Sequence, residues 1–206
     1  MQRDSIPNTI VVALSLCLVC SLMVSLAAVG LKPIQERNAA LDRKKNILEV
    51  TGFTRSEIQE AGGAEKLFES RFKTLIINLE TGQEDLEGLK QAMTKAKKEF
   101  GEDLITKYDQ FAVSKSRDQD LSDQITRAKE VASVKDREKC SHVLILNVEA
   151  GNPEKYILPV RGYGLLSMMQ GYLALQPDLQ TVAGLTFYDQ KETPGLGGEF
   201  ANPYWK

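Results

Sequence analysis

The pattern of apolar and polar positions divides the chain into stretches of different character. From Ile10 to Leu31 every side chain is uncharged and most are aliphatic. As a helix rising 1.5 Å per residue, this run spans about 33 Å, enough to cross the hydrocarbon core of a bilayer. From Pro33 to Val50 the apolar positions thin to a helical stripe of Ile34, Leu41, Ile47 and Leu48 among charged residues. From His142 onward they return as short runs bounded by turn formers, the pattern of strands.

Local signals sharpen that outline. Thr54-x-x-Glu57 is a capping box that opens a short helix, and Gly62-Gly63 closes it. Ala64–Ser70 reads as a second short helix, Phe72–Leu79 as a strand, and Thr81-Gly82 as a turn. Residues 83–140 are rich in Lys, Glu, Asp and Gln, with scattered Leu86, Leu89, Phe100, Leu104, Phe111, Leu121 and Ile125, which predicts solvated helix. Val143–Val148 and Lys155–Val160 flank a loop at 149–153 and predict a hairpin. Leu166–Leu175 and Thr181–Asp189, turned at Pro177-Asp178, predict another. The predicted class is α+β: one N-terminal transmembrane helix, then a domain whose antiparallel sheet is flanked by helices. The expected divisions are a tail at 1–9, the membrane helix at 10–31, a mostly helical charged region at 32–141 with one strand near 72–79, and an antiparallel β region at 142–206.

Two features of the first segment bear on its role. A signal peptide is the competing reading, with Ser25 and Ala27 as small residues before a cleavage point. The apolar run is longer than the usual ~7–15 residue core, however, and Arg3 is offset by Asp4. Ala13, Cys17, Ser21 and Ser25 recur every four residues, so they share one helix face on which a partner helix could approach closely, if the placement is not chance. Cys17-Leu-Val-Cys20 matches the C-x-x-C spacing, but inside an apolar run it reads as packing rather than redox chemistry. Lys32, Arg37, Arg43, Lys44 and Lys45 follow the segment, against Arg3 before it. That balance votes weakly for a cytoplasmic domain, because long domains translocate largely regardless of such charges.

Composition then excludes several classes. With 26 Lys and Arg against 28 Asp and Glu, the net charge of −2 argues against a nucleic-acid partner. A single histidine, His142, excludes a multi-histidine metal site, and three scattered cysteines form no disulfide framework. No constellation points to a catalytic acid, base or nucleophile.

The densest local signal is Glu192-Thr-Pro-Gly-Leu-Gly-Gly-Glu199. Pro194 followed by Gly195 predicts a type II turn over Thr193–Leu196. Gly197 and Gly198 then let the backbone pass close to something flat or charged. The segment reads either as a tight structural turn or as a cradle for a ligand. After it, Asn202-Pro203 forms the start of a helix that Tyr204, Trp205 and Lys206 barely begin, which predicts a C-terminal portion beyond this sequence.

Taken in order, the anchor ending Ala27-Ala-Val-Gly-Leu31, the segment Ile157–Leu165 through Ser167-Met-Met169, and Glu192–Glu199 resemble the C subunit of the sodium-translocating NADH:quinone reductase. The likeness covers about residues 9–50 and 142–206. The G subunit of the related ferredoxin:NAD reductase complex shares Glu-Thr-Pro-Gly-Leu-Gly and is the nearest alternative. From another class, a non-redox membrane-anchored assembly protein uses the turn structurally. The resemblance implies a bacterial inner-membrane protein with one span and a periplasmic flavin domain. It implies FMN esterified to a threonine of a Ser-Gly-Ala-Thr motif, which these residues do not contain. It further implies a complex of six subunits, with NADH and ubiquinone at the other members and Na⁺ as the exported ion. By that resemblance Thr193 and Leu196 border the flavin, within a cofactor wall of Thr193, Gly195, Leu196, Gly197 and Gly198. A tryptophan is expected where Leu166 stands. Glu192 and Glu199 are expected away from the ring, because a carboxylate beside reduced, anionic flavin is unfavourable; one of them caps a helix or binds a backbone amide.

Overall fold

The uncharged run becomes part of one long helix. In the computed structural model, which describes residues 6–96, 108–115, 118–124, 134–147, 152–193, 195–196 and 198, α1 spans Ile6–Val50, 45 residues. Pro33 lies inside it without ending it. Its apolar side chains from Ile10 to Leu31 are exposed, and the helix is long and apolar enough to cross a membrane. The chain divides into two compact units, Met1–Asp42 and Arg43–Lys206. The first unit is described by this helix alone.

In the second unit, α1 ends in a Schellman motif. The N–H of Phe53 donates to the Leu48 carbonyl at 3.0 Å and that of Gly52 to Glu49 at 3.0 Å. The Lys155 ammonium donates to the Thr51 carbonyl at 2.6 Å, a cation where the helix's partial negative charge gathers. The capping box forms as predicted: the Thr54 hydroxyl accepts from Glu57 N–H, and the Glu57 carboxylate accepts from Thr54 N–H at 2.7 Å. Helix α2 (Arg55–Glu60) follows, then α3 (Ala64–Arg71) and strand β1 (Phe72–Asn78).

Between residues 83 and 140, where charge predicts solvated helix, the structure is more varied. Helix α4 (Leu86–Lys95) is capped by the Asp85 carboxylate, which accepts from Gly88 N–H at 2.8 Å. Helix α5 (Gln110–Lys115) and the paired strands β2 (Ser122–Gln124) and β3 (Asp136–Glu138) complete the region. Its apolar residues are not a scattered surface. Leu89, Met93, Tyr108, Val113 and Leu121 pack with Ile76 and Cys140 into one buried cluster. Phe100, Leu104 and Ile125 lie outside the described residues.

Strands β4 (Cys140–Leu146), β5 (Lys155–Tyr163), β6 (Met168–Leu175) and β7 (Val182–Asp189) join β1 in a five-stranded antiparallel sheet of order β1-β4-β5-β6-β7. The α+β architecture expected from the sequence is therefore the one observed. A second buried cluster, Ile47, Val50, Leu144, Leu146, Ile157 and Ala174, fixes the last turn of α1 on the sheet. Arg43 adds a contact to the edge strand, its guanidinium 5.7 Å from the Tyr188 ring centre.

The sheet divides at one proline. The β4–β5 ladder ends at the Leu144–Ile157 pair. The same register would set His142 opposite Pro159, which has no N–H to donate. Outside that ladder the His142 N–H donates to Gln110 Oε1 of α5 at 2.8 Å. Two residues on, the Arg161 side chain reaches into the same region. Its Nη2 donates to Glu138 Oε2 at 2.8 Å and to the Asp136 carbonyl at 2.6 Å, and its Nη1 donates to the Ser114 hydroxyl. The guanidinium also lies 5.2 Å from the Phe111 ring centre. Both charged side chains are over nine-tenths buried. Burial raises the Glu138 carboxyl above its ordinary value, and Arg161 pulls it back only in part.

Removing one partner of such a pair strands the other charge in the interior. Arg161→Ala is expected to lower unfolding free energy by about 3–5 kcal/mol, whereas Arg161→Met with Glu138→Leu should cost far less. Denaturant titration of both variants measures the difference. Equal loss in the two would remove the stranded charge as the cause.

Candidate functional site

Glu192 organises the end of the described chain. Although ionisable, it is only 6% exposed. Its carboxylate accepts from Leu166 N–H at 3.1 Å, from Ser167 N–H at 2.9 Å and from the Ser167 hydroxyl at 3.1 Å. The Ser167 oxygen in turn accepts from Lys191 N–H at 2.8 Å. One carboxylate thus ties the segment after β7 to the loop between β5 and β6. That loop is itself closed by Gly164 N–H donating to the Ser167 carbonyl at 2.8 Å. The approach is close: a Cβ at Gly164 would stand 2.5 Å from Glu192 Oε1 and would displace the carboxylate. The expectation that one flanking glutamate binds backbone amides is met by Glu192; Glu199 lies outside the described residues.

The turn takes the shape that the sequence predicts. Gly195 has φ of 82°, and Leu196 N–H donates to the Thr193 carbonyl at 3.1 Å, as a type II turn requires. Gly198 N–H shares the same acceptor at 3.2 Å. Thr193, Gly195 and Leu196 are exposed, and Gly198 is half-buried. Gly197 and Pro194 lie outside the described residues, as do Asn202 to Lys206.

The arrangement leaves apolar side chains open to solvent. Leu196 is 75% exposed, Leu165 75% and Leu166 62%. The first comes from the turn and the other two from the loop that Glu192 holds. Among the sequence signals, Gly162-Tyr-Gly164 marks a break in the chain, but nothing local indicates that a carboxylate 25 residues later binds the amides beyond it. Leu165 and Ser167 therefore enter the site only through the tertiary structure. Chemically, the site offers small residues and an apolar wall, with the Leu196 and Gly198 N–H groups engaged by the Thr193 carbonyl. Among the described residues it brings together no acid, base and nucleophile of the kind that bond-breaking chemistry uses.

Comparison with known proteins gives this geometry a setting. No protein-family profile matches the chain. The C subunit of the Na(+)-translocating NADH-quinone reductase of Pseudomonas aeruginosa is 40% identical over 206 residues, which is all of this chain and 71% of that protein. The chain belongs to the family of C subunits of these reductases. The Yersinia pestis protein is 37% identical, again over the whole of this chain and 70% of its own length. The crystal structure of Shewanella oneidensis NqrC superposes with a TM-score of 0.62 at 25% identity, covering 79% of this chain and 64% of that one. The C subunit from Parabacteroides distasonis, at 23% identity and a TM-score of 0.54, shares the fold. The family is thus a component of an oxidoreductase complex named for Na⁺ translocation, and α1 is consistent with a membrane anchor in it.

Glu192 also makes a pH prediction. Burial alone would raise its carboxyl, but the amides of Leu166 and Ser167 and the Ser167 hydroxyl outweigh that and hold it below its ordinary value of 4.5. A depressed folded value means that its contribution to stability is full above the unfolded value. The contribution fades as pH falls through the folded value. Stability of the wild-type protein should therefore drop below pH 4.5 more steeply than that of Glu192→Gln, which should also melt at lower temperature at pH 7. Parallel acid limbs in the two thermal-melt series would refute the assignment.

Proposed function

We propose that this chain is the flavin-bearing electron-transfer subunit of a Na⁺-translocating NADH:ubiquinone oxidoreductase. In this reading it carries covalent FMN and passes electrons from NADH towards ubiquinone, coupled to Na⁺ export. The observation that carries the reading is the glycine turn pinned by Glu192, with Leu196, Leu165 and Leu166 left exposed, in a member of the C subunit family. An isoalloxazine ring takes a flat apolar wall on its face and backbone donors at its polar edge. The turn and the β5–β6 loop offer the apolar surface. FMN, when bound, supplies the electron-carrying chemistry; the chain's residues hold the ring, exclude water from it and set its surroundings.

Within the site, Leu196 supplies apolar surface and Gly195, Gly197 and Gly198 let the backbone come close. Thr193 borders the ring and is not the attachment point, which belongs to a Ser-Gly-Ala-Thr motif that these residues lack. Glu192 stays turned to the Leu166 and Ser167 amides, so its charge is engaged by them rather than by the flavin. The domain is periplasmic, and the anchor packs among the other membrane members of a complex of six subunits, which hold the NADH and ubiquinone sites.

Two measurements test this. The protein, extended through any coding sequence beyond Lys206 and co-expressed with a flavin transferase, should show flavin absorbance that survives denaturation and gel electrophoresis. Colour released on denaturation, or none, would sink the covalent-flavin reading. In such a preparation Leu196→Ala should shift the flavin midpoint potential or its accessibility to a soluble reductant; no change in either would take Leu196 out of the wall.

A further inference from the structure

The end of the β6–β7 ladder carries one residue more than its partner strand. From Ala174–Gly184 the pairing runs one for one to Gly171–Phe187, and the next pair is Gln170–Asp189. Tyr188 is therefore the extra residue of a β-bulge, and it and Asp189 together stand opposite Gln170. The strands are pressed close beside it. A Cβ at Gly171 would stand 2.1 Å from the Thr186 carbonyl oxygen, a backbone atom that cannot swing aside.

The extra residue is held from three sides. Its hydroxyl donates to Gln170 Oε1 at 3.2 Å, and Gln170 is itself buried. Its ring stacks on Tyr172, with centres 5.1 Å apart and planes 26° from parallel. Over the ring, 5.7 Å from its centre, lies the Arg43 guanidinium from the last turns of α1. Arg43 is placed in turn by Asp109 Oδ2 at 3.5 Å, while Asp109 Oδ1 caps α5 by accepting from Phe111 and Ala112 N–H. Bulges are over-represented next to active sites, where they re-aim side chains.

The consequence lies four residues on. Carried past Gln170–Asp189, the register sets Glu192 opposite Ser167, whose N–H and hydroxyl it binds at 2.9 and 3.1 Å. With Tyr188 absorbed into the ladder, Lys191 would stand there instead. An ammonium has no acceptor to offer the amides of Leu166 and Ser167. A slip of one residue also turns every following side chain to the opposite face.

We propose that Tyr188 is a positioning residue for the candidate site: clasped by Gln170, Tyr172 and Arg43, it fixes the register in which Glu192 meets Ser167 and from which the Thr193–Leu196 turn departs. Arg43 makes the base of α1 part of that clasp. What the turn holds rests on the flavin reading; the register does not.

Hydrogen–deuterium exchange of the full chain in lipid nanodiscs, resolved to single residues by fragmentation, reads the tie between Glu192 and the β5–β6 loop. Tyr188→Ala should speed exchange of the Leu166 and Ser167 amides about tenfold and leave those of Leu144 and Ile157 unchanged. Deletion of Tyr188 should return the two loop amides to within about threefold of wild type, because a ladder without the extra residue sets Glu192 opposite Ser167 by itself. A tyrosine that serves only packing gives the reverse order, with the deletion the worse of the two. Unchanged exchange in Tyr188→Ala, a deletion no slower than the alanine variant, or a rise shared by the whole sheet each overturns the proposal. If Tyr188→Ala does not fold, Tyr188→Phe decides, since it keeps the ring and removes only the bond to Gln170. It should speed the same two amides about threefold, and no change there overturns the proposal equally. The measurement needs no flavin, so a protein that never takes up the cofactor counts against the flavin reading alone.

Discussion

Beyond the Leu144–Ile157 pair the ladder between β4 and β5 stops, and there the guanidinium of Arg161 ties β5 to α5 and β3. Pro159 has no backbone donor, and beyond the ladder Gln110 of α5 accepts from His142 N–H while Arg161 of β5 donates to α5 and β3. Such bonds differ from ladder bonds in being few and in coming from side chains. An Arg paired with a buried carboxylate, a carbonyl and a hydroxyl uses most of its donors in a fixed geometry. Arg161 of β5 thus adds directed bonds to the strand pair β2–β3, which is also joined to the sheet through Lys139 and the packing of Leu121 on Ile76 and Cys140.

The same strand leads straight from that buried charge to the exposed site. Two residues separate Arg161 from Gly164, where the backbone meets Glu192. The two acidic side chains behave oppositely. Glu138 is paired with a cation yet burial raises its carboxyl, while Glu192 is held by backbone amides and a hydroxyl, which lower it. Amide dipoles fixed by a loop stabilise a carboxylate without a countercharge, as at a helix N-terminus. The site thus keeps the charge of Glu192 satisfied internally and turns neutral, apolar groups outward.

How much of this the sequence reveals depends on range. Signals that act within a few residues are legible: the uncharged helix, the Thr54–Glu57 capping box, the hairpins and the turn at Gly195. Each is set by local sterics or by a hydrogen bond between near neighbours. The partners of Glu192 and Arg161 lie more than 20 residues away, and no periodicity encodes them. The charged stretch is the hardest to read, because Glu138 sits in the run Asp136-Arg-Glu-Lys139, where composition says surface. Its burial comes from tertiary placement alone. Leu89, Tyr108 and Leu121 look isolated in sequence for the same reason, since it is the tertiary structure that gathers them with Ile76 of β1 and Cys140 of β4.

The end of α1 has a mechanical consequence. Ile47, Leu48 and Val50 are core residues of the sheet domain, and the Schellman turn and Lys155 clamp the residues that follow. No flexible tether stands between these last turns and the sheet. A twist or axial pull on residues 43–50 is therefore borne directly by Leu144, Ile157 and Ala174, as a lever is borne by the wall into which it is built.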